Sequence, residues 1–369
     1  SLLGTICSYF GILSVMSEEK MDEVIRQTKE RKQDHIEINL QKDVQSSIST
    51  GFDNFRFEHN PLPEINLGEV NTDLMFLGKR VKAPLLISSM TGGTAEAMRV
   101  NVHLAEAAQQ RGIALALGSG RAGLDSPESA KTYNLRKWAP DVPIYANLGV
   151  IQLNNGCGVD ECKRVVEMAE ADALILHFNP LQEALQPEGQ TNFGGLASKI
   201  EQVCASLEVP VIAKEVGWGI PVSAARKMVG LGISCIDAAG AGGTSWSQVE
   251  KYRNNSEEMI CISSHFQDWG MPTADLVHHL HIELPEIPLI SSGGLRKGLD
   301  LAKSLALGAS MGGIAGGFLK AAVQSAEAVI SNIDEVLLEL RITMFAVGAN
   351  NIDNLHKARI TKIGTPHAA

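Results

Sequence analysis

Ala173-Leu174-Ile175-Leu176-His177-Phe178-Asn179-Pro180-Leu181-Gln182-Glu183 decides how the rest of the chain is read. Its first four residues have the length and composition of a buried parallel strand. Five polar or ring-bearing side chains follow at once, where such a strand ends. In parallel α/β folds that carboxyl end is where ligands bind. His177, Asn179 and Gln182 offer neutral hydrogen-bonding groups, and Glu183 offers one hard oxygen ligand for a cation. A polar surface loop with a helix starting at Asn179-Pro180 has the same composition, so the other strand ends must decide.

They repeat the pattern. Pro84-Leu85-Leu86-Ile87-Ser88-Ser89-Met90 breaks into Thr91-Gly92-Gly93, and Ile113-Ala114-Leu115-Ala116-Leu117 into Gly118-Ser119-Gly120-Arg121, with a helix expected from Ser126. Val142 to Ala146 ends in Asn147-Leu148-Gly149. After the opening stretch, Val209 to Ala213 ends in Lys214-Glu215-Val216-Gly217, and Ile233 to Ile236 in Asp237-Ala238-Ala239-Gly240-Ala241-Gly242-Gly243-Thr244. Ile287 to Ile290 ends in Ser291-Ser292-Gly293-Gly294-Leu295-Arg296, and Ala309 to Ile314 in Ala315-Gly316-Gly317. Eight apolar runs, each followed by a polar or glycine-rich end and an amphipathic helix at roughly 25–35 residue spacing, predict a (β/α)8 TIM barrel with an N-terminal lead-in and a C-terminal helix. A doubly wound sheet is the alternative, but it does not require eight such units. The barrel is expected over 84–369, with a lid insertion at about 245–269 after the sixth run. Residues 16–83 form a lead-in, and 1–15, apolar but too short to span a membrane, read as vector-derived or upstream-translated sequence outside the fold.

With 369 residues, 44% hydrophobic and 20% charged, the chain can bury a large core as a globular α/β protein. A net charge of −10 lacks the basic face that nucleic acid requires. Six cysteines without a CxxC pair point to a reduced, cytoplasmic compartment. No segment is expected to cross a bilayer.

Glycine-rich ends after the seventh and eighth runs expose backbone N–H groups, the usual phosphate cradle of a barrel. Lys214 emerges from an apolar run, and a buried lysine needs an anion or an electron-rich partner, so it is expected to face a ligand. Thr91, Ser119, Asn147 and Thr244 add neutral donors. Together these suit a flavin mononucleotide. Arg31-Lys32-Gln33-Asp34-His35, read near a mobile end, is either an anion clamp or a solvated helix end.

The ordered set Arg31-Lys32-x-Asp34-His35, Met90-Thr91-Gly92-Gly93, Gly118-Ser119-x-Arg121, Asn147-Leu148-Gly149, His177-x-Asn179-x-x-Gln182-Glu183, Lys214-Glu215-Val216-Gly217, Gly242-Gly243-Thr244 and Ser292-Gly293-Gly294-Leu295 resembles the type 2 isopentenyl-diphosphate isomerase family. The resemblance runs from about Arg31 to the C-terminal helix. It implies interconversion of isopentenyl and dimethylallyl diphosphate in isoprenoid biosynthesis, with reduced FMN, Mg²⁺ and NADPH as reductant. By the same resemblance, FMN contacts fall on Ser89, Met90, Thr91, Ser119, Asn147, Lys214, Thr244, Gly293, Gly294, Leu295, Ala315 and Gly316. Substrate would meet Arg31, Lys32, Ser119, Arg121, His177, Asn179 and Gln182. Gln182 and His177 are the implied catalytic residues, and Glu183 the metal ligand. A homo-tetramer or homo-octamer is implied, with Arg31 and Lys32 reaching another subunit's site. Gly120 stands where the family carries Gln, so no side-chain contact is expected there.

The chemistry agrees. Moving a double bond in an unactivated alkene needs protonation at one carbon and deprotonation at another. No carboxylate pair or Cys is expected at the strand ends to do this, and a reduced flavin acting as acid and base, with no net redox, fills that gap. The alternative is an FMN-dependent 2-hydroxy-acid oxidase or dehydrogenase. Such enzymes need a catalytic His followed by an Arg after the sixth strand, where this chain carries Ala239-Gly240-Ala241-Gly242-Gly243.

Overall fold

Apolar side chains at alternate positions of eight short strands fill the centre of the molecule. The computed structural model describes residues 18–363, and the segment 1–15 lies outside the described residues. The strands are β1 (Leu85–Ile87), β2 (Ala114–Ala116), β3 (Ile144–Gly149), β4 (Ala173–Phe178), β5 (Val211–Glu215), β6 (Cys235–Asp237), β7 (Leu289–Ser291) and β8 (Met311–Ile314). All eight pairings are parallel, and the strands close in sequence order into a barrel, β8 returning to β1. Parallel neighbours cannot be joined by tight turns, so crossover helices wrap the outside.

A long helix, α1 (Glu18–Gln41), precedes the barrel. The crossovers are α2 (Ala95–Arg111), α3 (Arg121–Asp125), α4 (Val159–Ala169), α5 (Pro180–Leu185), α6 (Leu196–Ser206) and α7 (Val222–Gly230). After β6 come α8 (Trp246–Arg253), α9 (Glu257–Ser264) and α10 (Thr273–Glu283). The chain then adds α11 (Gly298–Ala306), α12 (Gly316–Gln324) and α13 (Ala326–Ala346). Local chemistry sets their ends. Thr94 caps α2 by accepting from Ala97 N at 3.1 Å, and Gly112 ends it with φ of 65°. The C-terminal α13 packs on α11 and α2, covering the seam where β8 meets β1.

Two expected helices differ. The return after β2 begins at Arg121, with only a single turn, Pro127–Ala130, capped by Ser126. The lead-in helix does not end at residues 31–35, where a solvated helix end is one expectation, but continues to Gln41, because its second half is anchored on the barrel through the buried Ile36 and through His35. Arg31 and Lys32 therefore sit within a helix.

The lead-in also plugs the barrel. An antiparallel hairpin, Leu74–Phe76 with Lys79–Val81, places Phe76 and Val81 in one cluster with the interior residues Leu86, Tyr145, Ile212 and Met311. Phe55–Phe57 pairs antiparallel with Ile360–Lys362, tying the lead-in to the far end of the described chain. No helix among the described residues is long and apolar enough to cross a membrane.

Phe76 is 3% exposed beneath the barrel. Phe76→Ala should cost about 3–5 kcal/mol of stability, through lost burial plus the cavity left behind. A urea melt that left the midpoint unchanged would show that the hairpin is not part of the barrel's core.

Candidate active site

The strands alternate inward and outward with period two. Leu86, Tyr145, Ile175, Ile212, Cys235 and Ile290 point into the barrel's apolar interior cluster. Two residues further along, the same inward positions carry Ser88, Asn147, His177, Lys214, Asp237 and Ser292. A polar layer thus lies directly above an apolar one, at the carboxyl end. It is cross-linked. Asn147 Nδ2 donates to Ser89 Oγ at 3.0 Å, and Asn147 Oδ1 lies 2.7 Å from His177 Nδ1. Because the Asn147 amide nitrogen is turned to Ser89, its oxygen accepts from His177 Nδ1–H, leaving Nε2 as a bare acceptor. Burial, then Lys214 and Arg31, hold His177 down to about 4, so the ring is neutral at neutral pH.

α1 crosses above this layer, packing on α8 at one side and α3 at the other. These helices follow β6 and β2, which stand opposite each other in the eight-strand ring. Lys32 Nζ donates to Gly92 O at 2.7 Å, Tyr133 OH at 2.9 Å and Ser119 O at 3.4 Å. Burial, then Arg31, pull its pKa from 10.5 to about 7. Arg31 Nε is 3.9 Å from Glu188. These contacts lie within one chain. Within this one chain, α1 carries Lys32 to the chain's own barrel mouth.

His35 Nε2 is 3.0 Å from Glu250 Oε1, and its ring meets Trp246 edge-on at 5.0 Å. Glu250 is fully buried and also accepts from Gln182 Nε2 at 2.9 Å and Arg253 Nη1 at 2.8 Å. Although burial pushes its pKa up, His35, Arg253 and Gln182 bring it below the usual carboxylate value. Asn179 Nδ2 donates to Gln182 Oε1 at 3.2 Å and Glu183 Oε1 at 3.1 Å, while Asn179 Oδ1 is buried without a partner. Glu183 Oε2 accepts from Gln186 Nε2 at 2.8 Å and Gln190 N at 2.7 Å. The polar loop that follows β4 is therefore a buried, pinned network rather than a solvated surface.

Other sequence-predicted residues gather around the same mouth. Thr91 is buried, and its carbonyl accepts from Asn101 at 3.1 Å; Met90 is half-buried against the core. Arg121 is engaged by Gln152 at 3.0 Å and by Asp125. Thr244 Oγ1 donates to Asn39 on α1 at 3.3 Å. Leu295 departs from the rest: its side chain is buried in the core, so only its backbone can meet a ligand. Position 120 also faces away from the mouth. A Cβ there would lie 3.0 Å from Val165 Cγ1 and 3.3 Å from Met168 Cε on α4.

Gly293 and Gly294 have φ of 104° and 83°, and a Cβ on either would collide with the backbone of Gly240 or Gly242. Glycine alone lets the ends of β6 and β7 approach so closely. At the end of β8 a Cβ on Gly316 would meet nothing within 4 Å, and no side chain caps the start of α12 there. An open helix N-terminus beside a glycine-rich loop fits a phosphate. The buried Ser88 Oγ, with no partner, and the neutral donors of the polar layer fit a heteroaromatic ring with carbonyl and ring-nitrogen acceptors. The residues present fit FMN.

Two carboxylates stand at the strand ends, each engaged separately. Asp237 ends β6 and faces Lys214, its Oδ2 3.0 Å from Nζ. Lys214 is thus already paired with an anion. Glu215 ends β5, and its Oε2 accepts four amides, from Val216, Gly217, Trp218 and Gly219, at 2.6–3.1 Å. Burial nonetheless pushes its pKa up to about 7. Extending the two-residue alternation from Ile212 and Cys235 would have found Lys214 and Asp237 as an inward pair. Glu250 and Tyr133 gave no such signal. They lie in polar helical stretches, and their partners His35 and Lys32 come from the remote α1.

At pH 8 Lys32 is mostly neutral in the free protein, since its pKa is about 7. A multiply charged anion beside it would raise that value and restore the proton. Calorimetric titration with inorganic sulfate, which carries no proton of its own at pH 8, in buffers of different ionisation enthalpy, should show uptake approaching one proton. Lys32→Met should abolish it; uptake unchanged in that variant would remove Lys32 from anion binding.

The sequence profile of the FMN-dependent dehydrogenase family matches residues 181–362. The isopentenyl-diphosphate delta-isomerase of Nostoc sp. is 50% identical over 331 residues, covering 89% of this chain and 94% of the relative. The protein of the same name from Rickettsia peacockii is 48% identical, covering 90% and 97%. Among solved structures, an (S)-mandelate dehydrogenase superposes with a TM-score of 0.65 at 14% identity, covering 92% of this chain and 98% of that one. A mandelate oxidase variant gives 0.62 at 16% identity, covering 92% and 99%. At such low identity these two show the barrel fold alone. The likeness to the isomerases, at half identity over nine-tenths of the length, is of another order: the chain belongs to the type 2, FMN-dependent isopentenyl-diphosphate delta-isomerase family.

Proposed function

We propose that this chain interconverts isopentenyl and dimethylallyl diphosphate, with FMN held at the barrel mouth and the substrate between the polar layer and α1. The observation that carries the reading is the convergence of Lys32 from α1 and Gln182 from the β4 loop on one mouth, in a chain half identical to enzymes of that name. FMN would rest on Ser89, Met90, Thr91, Ser119, Asn147, Lys214, Thr244 and the backbone of Gly293, Gly294, Leu295, Ala315 and Gly316. When bound and reduced, it supplies a ring nitrogen able to give and take a proton.

The chain's own residues would bind, orient and exclude water. Arg31, Lys32 and Arg121 are cations placed for a diphosphate. Asn179 has its buried Oδ1 free, and Gln182 has its amide fixed at both ends by Asn179 and Glu250. A fixed neutral amide orients an apolar chain beside it without adding a charge that would trap a carbocation-like centre. Neutral His177 presents the Nε2 lone pair as a hydrogen-bond acceptor and carries no charge with which to bind an anion. Among the described residues no three His, Cys, Asp or Glu are grouped to hold a metal. Mg²⁺ would be held by Glu183, whose hard carboxylate oxygens suit it, and would offset diphosphate charge.

NADPH is the proposed reductant, checked by bleaching of the yellow protein without oxygen. A homo-tetramer or homo-octamer is proposed, and the exposed Leu338 and Ile342 on α13 offer it an apolar face. Cytoplasmic location accords with the five unpaired cysteines among the described residues.

Proton NMR of isopentenyl diphosphate in D2O, under anaerobic conditions with the purified protein, FMN and Mg²⁺, tests the function. Dimethylallyl diphosphate and deuterium uptake are expected only when dithionite is added. Yellow, reducible protein that forms no product would overturn the isomerase reading. Gln182→Ala should keep the colour and lose about a hundredfold or more in kcat.

A further inference from the structure

The polar layer holds one fully buried carboxylate to which the mechanism above gives no role. Asp237 has no exposed surface. It pairs in register with Lys214 on the neighbouring strand, with Oδ2 3.0 Å from Nζ. Its Oδ1 accepts from Ser292 Oγ at 2.5 Å, and Lys214 Nζ donates to the same hydroxyl at 2.9 Å. Three side chains from the ends of β5, β6 and β7 thus close a triangle, and Ser292 leads directly into Gly293 and Gly294. With its proton on Asp237 and a lone pair toward Lys214, the Ser292 hydroxyl fixes both charged groups. His177, the register partner of Lys214 on its other side, is uncharged at neutral pH and adds nothing to the sum.

A lone buried ammonium would project a long-range positive field, favouring an electron-rich ring and driving off its proton. A close ion pair has no net charge, and its field falls away faster. We propose that Asp237 is a positioning residue for the flavin site: it fixes the Lys214 ammonium and cancels its charge, leaving the layer beneath the ring net neutral. Such a layer neither draws electrons onto the ring nor expels a ring proton, which suits a reaction that moves a proton and no net electrons. This rests on the FMN reading above, and extends it to the charge that the ring experiences.

The test is the midpoint potential of the FMN-loaded full chain, measured by dye-coupled reduction at one pH. Asp237→Asn leaves one net positive charge and should raise the potential. Lys214→Gln leaves one net negative charge and should lower it. Each shift should reach at least about 30 mV, a tenfold change in the ratio of affinities for reduced and oxidised flavin. The double variant restores neutrality and should return close to the wild-type value. A merely structural role for Asp237 would not produce opposite signs that cancel, so two shifts in one direction, or none, overturn the proposal. Should Asp237→Asn fail to fold, with its lysine left uncompensated, the other two variants decide: a lowered potential in Lys214→Gln that the double variant does not restore overturns it equally. Wild-type protein that stays colourless with FMN overturns the flavin reading, and this one with it, before any variant is made.

Discussion

Closing eight parallel strands into a ring removes every sheet edge and commits each strand to one register. Because side chains alternate along a strand, that register decides at once which residues face the axis. A slip of one position would carry Lys214 and Asp237 out among the crossover helices and bring their apolar neighbours to the mouth. The site thus depends on the same packing that holds the barrel together. Ile212, Cys235 and Ile290 fix the strands by filling the interior, and Lys214, Asp237 and Ser292 inherit their positions from them.

Above that layer the structure is held by polar contacts that are themselves chemical groups. Glu250 is the centre of this upper half, accepting from Gln182 and Arg253 and facing His35. A carboxylate buried to this depth needs cations and donors around it, and α1, α5 and its own helix α8 provide them through His35, Gln182 and Arg253. Docking α1 and orienting Gln182 are therefore one event. Lys32, one turn before His35 on the same helix, reaches Tyr133 and the β2 loop. In its seat α1 adds its own polar side chains to those of the mouth.

The likeness in fold to hydroxy-acid enzymes and the membership among isomerases are compatible, since one barrel fold can host different chemistries. What separates the two chemistries lies at the end of β6. Here the inward residue is Asp237, and Ala238 and Ala239 follow, both buried. Asp237 pairs with Lys214, and residues 239–243 after it include neither His nor Arg.

Eight apolar runs with polar or glycine-rich ends were enough to read the barrel, because each strand and crossover carries its own hydrophobic pattern. The opening stretch around His177 and the glycines of Gly293-Gly294 and Gly316 were legible for the same reason: a strand end and a tight approach are local features. Other parts depended on long-range contact. Glu250 looks like any acid in a charged helix until His35, more than two hundred residues earlier, is laid against it. Lys32 looks like a solvated cation until Gly92 and Tyr133 surround it. Local periodicity determined the barrel and the residues at its strand ends, because burial there follows from the strand itself. Only the tertiary structure decided which charges are paired, and through which partners, because burial and distance between remote segments are not written in either one alone.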